Sequence, residues 1–193
     1  MKKLLFILFF IIPSISFAQS DSIGVYVQNE KTIYQIEPIK SSGYKTNTLG
    51  TALSMGIASS TMKVIFKGSS SSNKVKREDS FYFFYNPNIG NNAALLMKYY
   101  MFTTGTSPGS DFSLVKFTQK KNTRELKTGS VNVYSGVNIN TQANTDAKFI
   151  VNKINETKYK VTLNNIEPGE YCFMYNGING SGAYMPVFDF SIE

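Results

Sequence analysis

Histidine and tryptophan are absent from the 193 residues, and cysteine occurs once, at Cys172. Without histidine the chain cannot build a Ser-His-Asp or Cys-His catalytic unit, a histidine metal site or the usual proton shuttle near neutral pH. One cysteine and no histidine leave too few ligands for the familiar zinc sites, so neither a metal nor a cofactor is expected. A lone cysteine cannot close an internal disulfide, and a chain without that staple relies on its core. Long apolar runs are scarce as well. The extended one, Leu4 to Ile12, falls well short of the roughly 20 residues that a membrane helix needs.

That run has the surroundings of an export signal. Lys2 and Lys3 precede it, Pro13 breaks it, and Ser16-Phe17-Ala18 sets small residues where a signal peptidase reads. The expectation is a signal peptide over residues 1–18, cut between Ala18 and Gln19, with no transmembrane span after processing and a periplasmic or extracellular destination. No cysteine follows the run, so lipid attachment at a new N-terminal cysteine is excluded. Losing Lys2 and Lys3 lowers the formal charge from +7 to +5. Spread over one domain, such a charge favours solubility and weak, salt-sensitive attraction to anionic surfaces; it is too diffuse to point to nucleic acid.

What the chain has in quantity is aromatic side chains, 15 Phe and 12 Tyr, set mostly in period-two patterns. In KYKVTL, Tyr159, Val161 and Leu163 share one face; in VFDFSI, Phe188, Phe190 and Ile192 oppose Asp189 and Ser191. Such alternation suits antiparallel strands with one wet and one buried face. FYFFY at 81–85 is aromatic on both faces and belongs in a central strand or under a loop. About ten strands at hairpin spacing predict an all-β fold, specifically an immunoglobulin- or fibronectin-like antiparallel sandwich over residues 80–193. An N-terminal β section over 19–67 packs against it through a serine-rich flexible connector at 68–79. NNAALLMKYYMF reads as a short helix capped by Asn91 or Asn92, and residues 48–60 read as a broken helix or a loose strand.

Several motifs have a chemical and a structural reading. NGINGSG at 176–182 imitates a phosphate loop, but a strand follows it where a helix N-terminus would be needed. NINTQANTD at 138–146 lacks the acid spacing of a calcium loop. Cys172 alternates with Met174 and reads as a buried, inert thiol. In IEPGEYCF, Pro168-Gly169 sets a turn and Tyr171 starts a strand, the arrangement of a tyrosine corner whose hydroxyl bonds back to upstream backbone. KFTQKKNTRELK concentrates five cations at a hairpin tip. Lys120 and Lys121 read as solvated there, while Arg124 shares a face with Leu126 and calls for a carboxylate partner.

SPGSDFSLVKFTQKKNTREL at 107–126, KYKVTLNNIEPGEYCF at 158–173 and the closing VFDFSIE together resemble a family of secreted bacterial β-sandwich proteins. The resemblance implies fold and export and carries no activity. The chain departs from that pattern by inserting NNAALLMKYYMFTTG, where the resemblance implies a shorter loop.

Three functions follow as expectations. The first is an exported, non-catalytic module that binds an envelope component, a glycan or a partner protein, with Tyr99, Tyr100 and Phe102 of the insertion as its contact surface unless they pack into the core. The second is a glycan hydrolase working through paired acids; Asp111, Glu125, Asp146 and Asp189 lie on or beside strands, but no local spacing pairs them. The third is a structural subunit that assembles through an exposed strand edge. The export reading has a direct check: protein recovered outside the cytoplasm begins at Gln19, whereas recovery with Met1 intact would mean that the apolar run is retained as an anchor.

Overall fold

A computed structural model describes residues 23–46, 59–90, 92–132, 136–138, 148–177 and 186–193. The signal segment with Ala18 and Gln19, residues 47–58, Asn91, most of NINTQANTD and the end of NGINGSG lie outside the described residues. The chain opens with β1 (Gly24–Gln28), β2 (Ile33–Ile36), β3 (Gly43–Thr46), β4 (Ser60–Lys67), β5 (Lys74–Val75) and β6 (Ser80–Phe84). Three short helices follow, α1 (Ala93–Tyr99), α2 (Met101–Thr104) and α3 (Pro108–Asp111). The remainder is strand: β7 (Phe112–Lys116), β8 (Thr118–Gln119), β9 (Thr123–Asn132), β10 (Gly136–Asn138), β11 (Lys148–Lys153), β12 (Lys158–Asn164), β13 (Gly169–Tyr175) and β14 (Val187–Ile192). The fold is all-β and sandwich-like. No helix among the described residues is long and apolar enough to cross a membrane.

The strands form three sheets rather than two. One runs β11-β12-β6-β1-β2, a second β5-β14-β13-β7, and a third β10-β9-β4-β3 with β8 paired to β9. Pairing is antiparallel except between β14 and β5. The second sheet is the central layer. Its Leu114, Tyr171, Phe173, Phe188 and Phe190 meet Val25, Phe81, Phe83 and Val161 of the first sheet in one core. Its opposite face, with Val115, Cys172, Met174 and Val187, meets Val64, Phe66 and Leu126 of the third sheet in another. Coverage on both sides corrects the reading of VFDFSI as half wet: Asp189 and Ser191 are each 3% exposed.

The sheets also ignore the boundary drawn at residues 68–79. β1 lies between β2 and β6, β4 pairs with β9, and β5, inside the supposed connector, pairs with the last strand. Backbone hydrogen bonding therefore interleaves the N-terminal section with the rest. FYFFY does sit centrally: β6 is flanked by β1 and β12, and Phe81 and Phe83 are fully buried.

The helical insertion begins as its sequence suggests, with the Asn92 side chain accepting from the Leu95 N–H at 3.2 Å. Its aromatic residues point the other way from the contact surface proposed for them. Tyr99 and Phe102 belong to the larger core, and Tyr100 packs against it with its ring 5.7 Å from that of Tyr175. Phe102 stacks on Phe112 at 5.4 Å and meets Phe188 edge-on at 5.5 Å. The physical reason is spacing: Leu95, Tyr99 and Phe102 fall on one helical stripe, and that stripe packs on Phe83 of the first sheet and on Phe112 and Phe188 of the second. The exposed side carries Leu96 and Met97 instead. In urea denaturation, Phe102→Ala costs about 3–5 kcal/mol, whereas Met97→Ala stays within about 0.5 kcal/mol. Equal losses would mean that the insertion is not docked on the core.

Candidate functional site

Alternation along β9 turns Arg124 and Leu126 toward the central sheet, and the register sets them opposite Phe66 and Val64 of β4. Arg124 is 3% exposed, with its guanidinium 5.1 Å above the Phe117 ring. Its Nη1 donates to Asp189 Oδ2 at 2.5 Å and, at 3.5 Å, to Glu170 Oε2. Nε and Nη2 donate to the carbonyls of Gly68 and Lys67 at 3.3 and 3.4 Å. One cation thus faces two buried carboxylates. Removing three charges from water is costly unless every group is satisfied, and the surplus acid is satisfied by neutral donors. Glu170 accepts from the Ser71 N–H at 2.7 Å and from the Ser191 hydroxyl at 2.6 Å. Lys74 Nζ donates to that same Ser191 oxygen at 3.2 Å, bringing a second cation within one hydroxyl of Glu170.

Ser70, Ser71 and Asn73 hold GSSSSNK in place. Ser71 Oγ and Asn73 Nδ2 both donate to the Asp189 carbonyl, at 3.2 and 2.9 Å, and Asn73 returns its own carbonyl to the Ser191 N–H at 2.8 Å. The flexible-connector reading fails here because these side chains replace a strand's hydrogen bonds along the edge of β14.

On that edge lies a pocket of about 490 Å³. Ile39 and Val187 exchange two backbone hydrogen bonds, at 2.9 and 3.2 Å, at one end of β14, and β5 pairs with Ser191 and Ile192 at the other. The gap between them opens onto Asp189 and Arg124, with Gln35, Glu37, Lys40, Lys67 and Ser72 around it. One wall is fixed from behind. Tyr99 donates to Glu37 at 3.0 Å, Gln35 Nε2 donates to Tyr99 Oη at 3.0 Å and to the Ile23 carbonyl at 2.8 Å, and Lys98 pairs with Glu37. Burial, then the bond to Glu37, pushes the Tyr99 phenol well above its ordinary range. Gly24, at φ +115°, admits this packing, since a Cβ there would lie 3.0 Å from both Gln35 Nε2 and the Tyr99 ring.

The other residues marked in the sequence lie apart. Tyr171 is fully buried and its hydroxyl donates to the Glu167 carbonyl at 2.9 Å, while Gly169 takes φ +151° next to Pro168. Asp111 accepts from the N–H groups of Thr106 and Ser107, at 2.7 and 2.9 Å, and from the Tyr85 hydroxyl at 3.1 Å, so it knots its own loop. Glu125 pairs with Lys63 at 2.8 Å on the outer face of the third sheet, and that contact holds its carboxyl below the usual range. Asp146 lies outside the described residues. Cys172 is fully buried, and desolvation, with the nearby Asp189, pushes its thiol well up; that environment suppresses the thiolate. Among the described residues no three of His, Cys, Asp and Glu are grouped to hold a metal ion.

Glu170, Ser71 and Asn73 were missed by sequence reasoning. A signal for Glu170 existed: period two places it on the face of Cys172 and Met174, and an acid on an apolar face needs a partner. The basic cluster around Arg124 divides. The Thr118-Gln119 strand pairs with Arg124 and Glu125, and Lys120, Lys121 and Asn122 form the exposed tip. SLVKF itself pairs with β13 in the central sheet, so the chain changes sheets at Phe117. Arg124→Ala leaves two buried carboxylates without their cation and costs about 3–5 kcal/mol. Replacing Lys120 and Lys121 together by Ser shifts stability by less than about 0.5 kcal/mol. Equal denaturation midpoints for these variants would overturn the division. Compared with family models, with curated proteins and with solved structures, the chain matches none.

Proposed function

We propose that the protein is an exported, non-catalytic β-module that binds a component of the cell envelope in the pocket on the β14 edge. The observation that carries this reading is the pocket itself: about 490 Å³, within the range of ligand sites, and walled by side chains already fixed to one another. Export rests on the N-terminal charge–apolar–small pattern and on the motif resemblance to secreted bacterial proteins.

The carboxylate hydrolase is disfavoured by how the acids are used. A glycosidase sets two carboxyl groups on either side of the scissile bond. Here Asp189 and Glu170 converge on one guanidinium nitrogen, and Glu170 has both oxygens occupied by Ser71, Ser191 and Arg124. An acid pair so engaged anchors a fold and has no site left between its members for a sugar ring.

Native mass spectrometry of protein released gently from its own envelope tests the reading. A discrete non-covalent adduct is expected, and it disappears in Ser72→Trp, which fills the pocket from an exposed loop position while the melting temperature holds. An adduct retained unchanged in that variant would place the site elsewhere, and recovery of a cleaved ligand would restore the hydrolase.

A further inference from the structure

We infer that the outer face of the third sheet docks on an anionic bilayer surface, through a plane of lysines that holds the whole excess charge of the processed chain. This face does not depend on the pocket, and only the envelope location of its partner is shared with the export reading. Val64 and Phe66 of β4 and Arg124 and Leu126 of β9 are buried, so alternation turns Lys63, Lys67 and Lys127 outward. Register sets Lys45 opposite Lys63, and Lys63 opposite Lys127. Three lysines therefore form one row across β3, β4 and β9. Thr118 lies opposite Glu125, so Lys120, two residues on, faces the same way, with Lys121 beside it at the exposed tip. With Lys2 and Lys3 removed, 18 basic and 13 acidic residues remain. These six lysines and Glu125 make the entire excess of +5, and the other 12 basic and 12 acidic residues balance. The charge that composition spreads over one domain is gathered by the sheet onto one face.

Folding alone does not account for the row. Lysine on an edge strand discourages pairing with another chain. That explains Lys45 on β3 but neither Lys63 on β4, which is paired on both sides, nor a third lysine, Lys127, opposite it. Like charges directly opposite one another destabilise a sheet. Strands about 4.8 Å apart keep these within the Debye length of about 8 Å at physiological salt. One acid sits among them. Glu125, 7% exposed, accepts from Lys63 at 2.8 Å, and that bond, with the charges of Lys120 and Lys45 nearby, holds its carboxyl below the usual range against the effect of burial. Among the described residues the other five lysines have no carboxylate partner. A layer of anionic headgroups supplies the missing countercharge. Layout favours such a layer over a linear polyanion. The lysines spread in two dimensions, about 10 Å across three strands and about 13 Å along β4, whereas a linear polymer is tracked along a groove. The outward positions between them, Gly43, Ile65, Thr118 and Thr123, bring no ring on which a sugar or a base would stack.

Co-sedimentation of the Gln19–Glu193 chain with two kinds of vesicle tests this, equimolar phosphatidylglycerol and phosphatidylcholine against phosphatidylcholine alone. Binding to the anionic vesicles only is expected. A lysine near an anionic surface is worth about fivefold in affinity, so Lys45→Gln, Lys67→Gln and Lys127→Gln together weaken binding about a hundredfold. Lys63 is left in place because Glu125 needs it. Lys31→Gln, Lys76→Gln and Lys148→Gln remove the same charge from exposed positions elsewhere and weaken binding less than about tenfold. All six positions are exposed, and melting temperatures at or above that of the parent verify that both triple variants fold. Equal losses in the two triples overturn the inference, since net charge would then act without a face. Equal binding to both vesicles, or to neither, overturns it as well, and retention on dextran sulfate without vesicle binding would transfer the face to a soluble polyanion. Should the first triple fail to fold, salt decides on the unmodified chain. Binding that persists at about 1 M chloride, where the Debye length is about 3 Å, overturns the inference equally.

Discussion

Arg124 is carried by one sheet, and its two carboxylate partners by neighbouring strands of another, so the ion pair can form only when three strands are in register. This is a stronger constraint than apolar contact. Phe188 and Phe190 face the aromatic core, and Asp189 between them faces the arginine. A slip of β14 by one residue would exchange these faces, placing a carboxylate among Phe81, Phe83 and Phe173 and leaving the guanidinium against a ring. Either event exposes an unpaired charge to a medium that cannot solvate it. Compared with an all-apolar seam, a buried ion pair adds little net stability. What it adds at this seam is a steep penalty on every alternative pairing of the last two strands.

The same network decides how the edge of the central sheet ends. A long strand edge left open invites pairing with another chain. Here it is closed in pieces, by Ile39 at one end, by β5 at the other, and by Ser71 and Asn73 side chains in between. Side chains cannot copy a strand's ladder, since they reach the Asp189 carbonyl but leave its N–H. The pocket is therefore a consequence of covering an edge with a serine-rich turn instead of a strand. Its floor is the ion pair that holds the turn down.

How much of this was legible in the residues depended on whether one side of a segment was enough to fix it. β6, β12 and the short helix after Asn92 were readable because local periodicity determined their burial. The inward stripe of Leu95, Tyr99 and Phe102 is also present in the spacing, and the structure takes the core-packing alternative for it. The third sheet was not legible: alternation in VFDFSI states that the faces differ, and says nothing of whether water or a second layer covers the polar one. GSSSSNK was misread for a related reason. Composition ranks serine as a linker residue, yet a serine hydroxyl is also among the smallest side-chain donors able to satisfy a buried carbonyl, and which of these applies depends on partners over 100 positions away.

The pocket divides its residues by what they hold. Glu37, Gln35, Tyr99, Arg124 and Asp189 are tied into the wall and floor, so changing them alters the fold before it alters recognition. Lys67 and Ser72 line the same space and, among the described residues, bear no side-chain hydrogen bond. The wall of such a pocket is already rigid, and the entropy of ordering it is spent in folding. The two exposed side chains can be replaced at almost no cost to the fold. The ion pair can thus remain fixed as the device that sets strand register, while the chemistry of the mouth is free to differ without disturbing it.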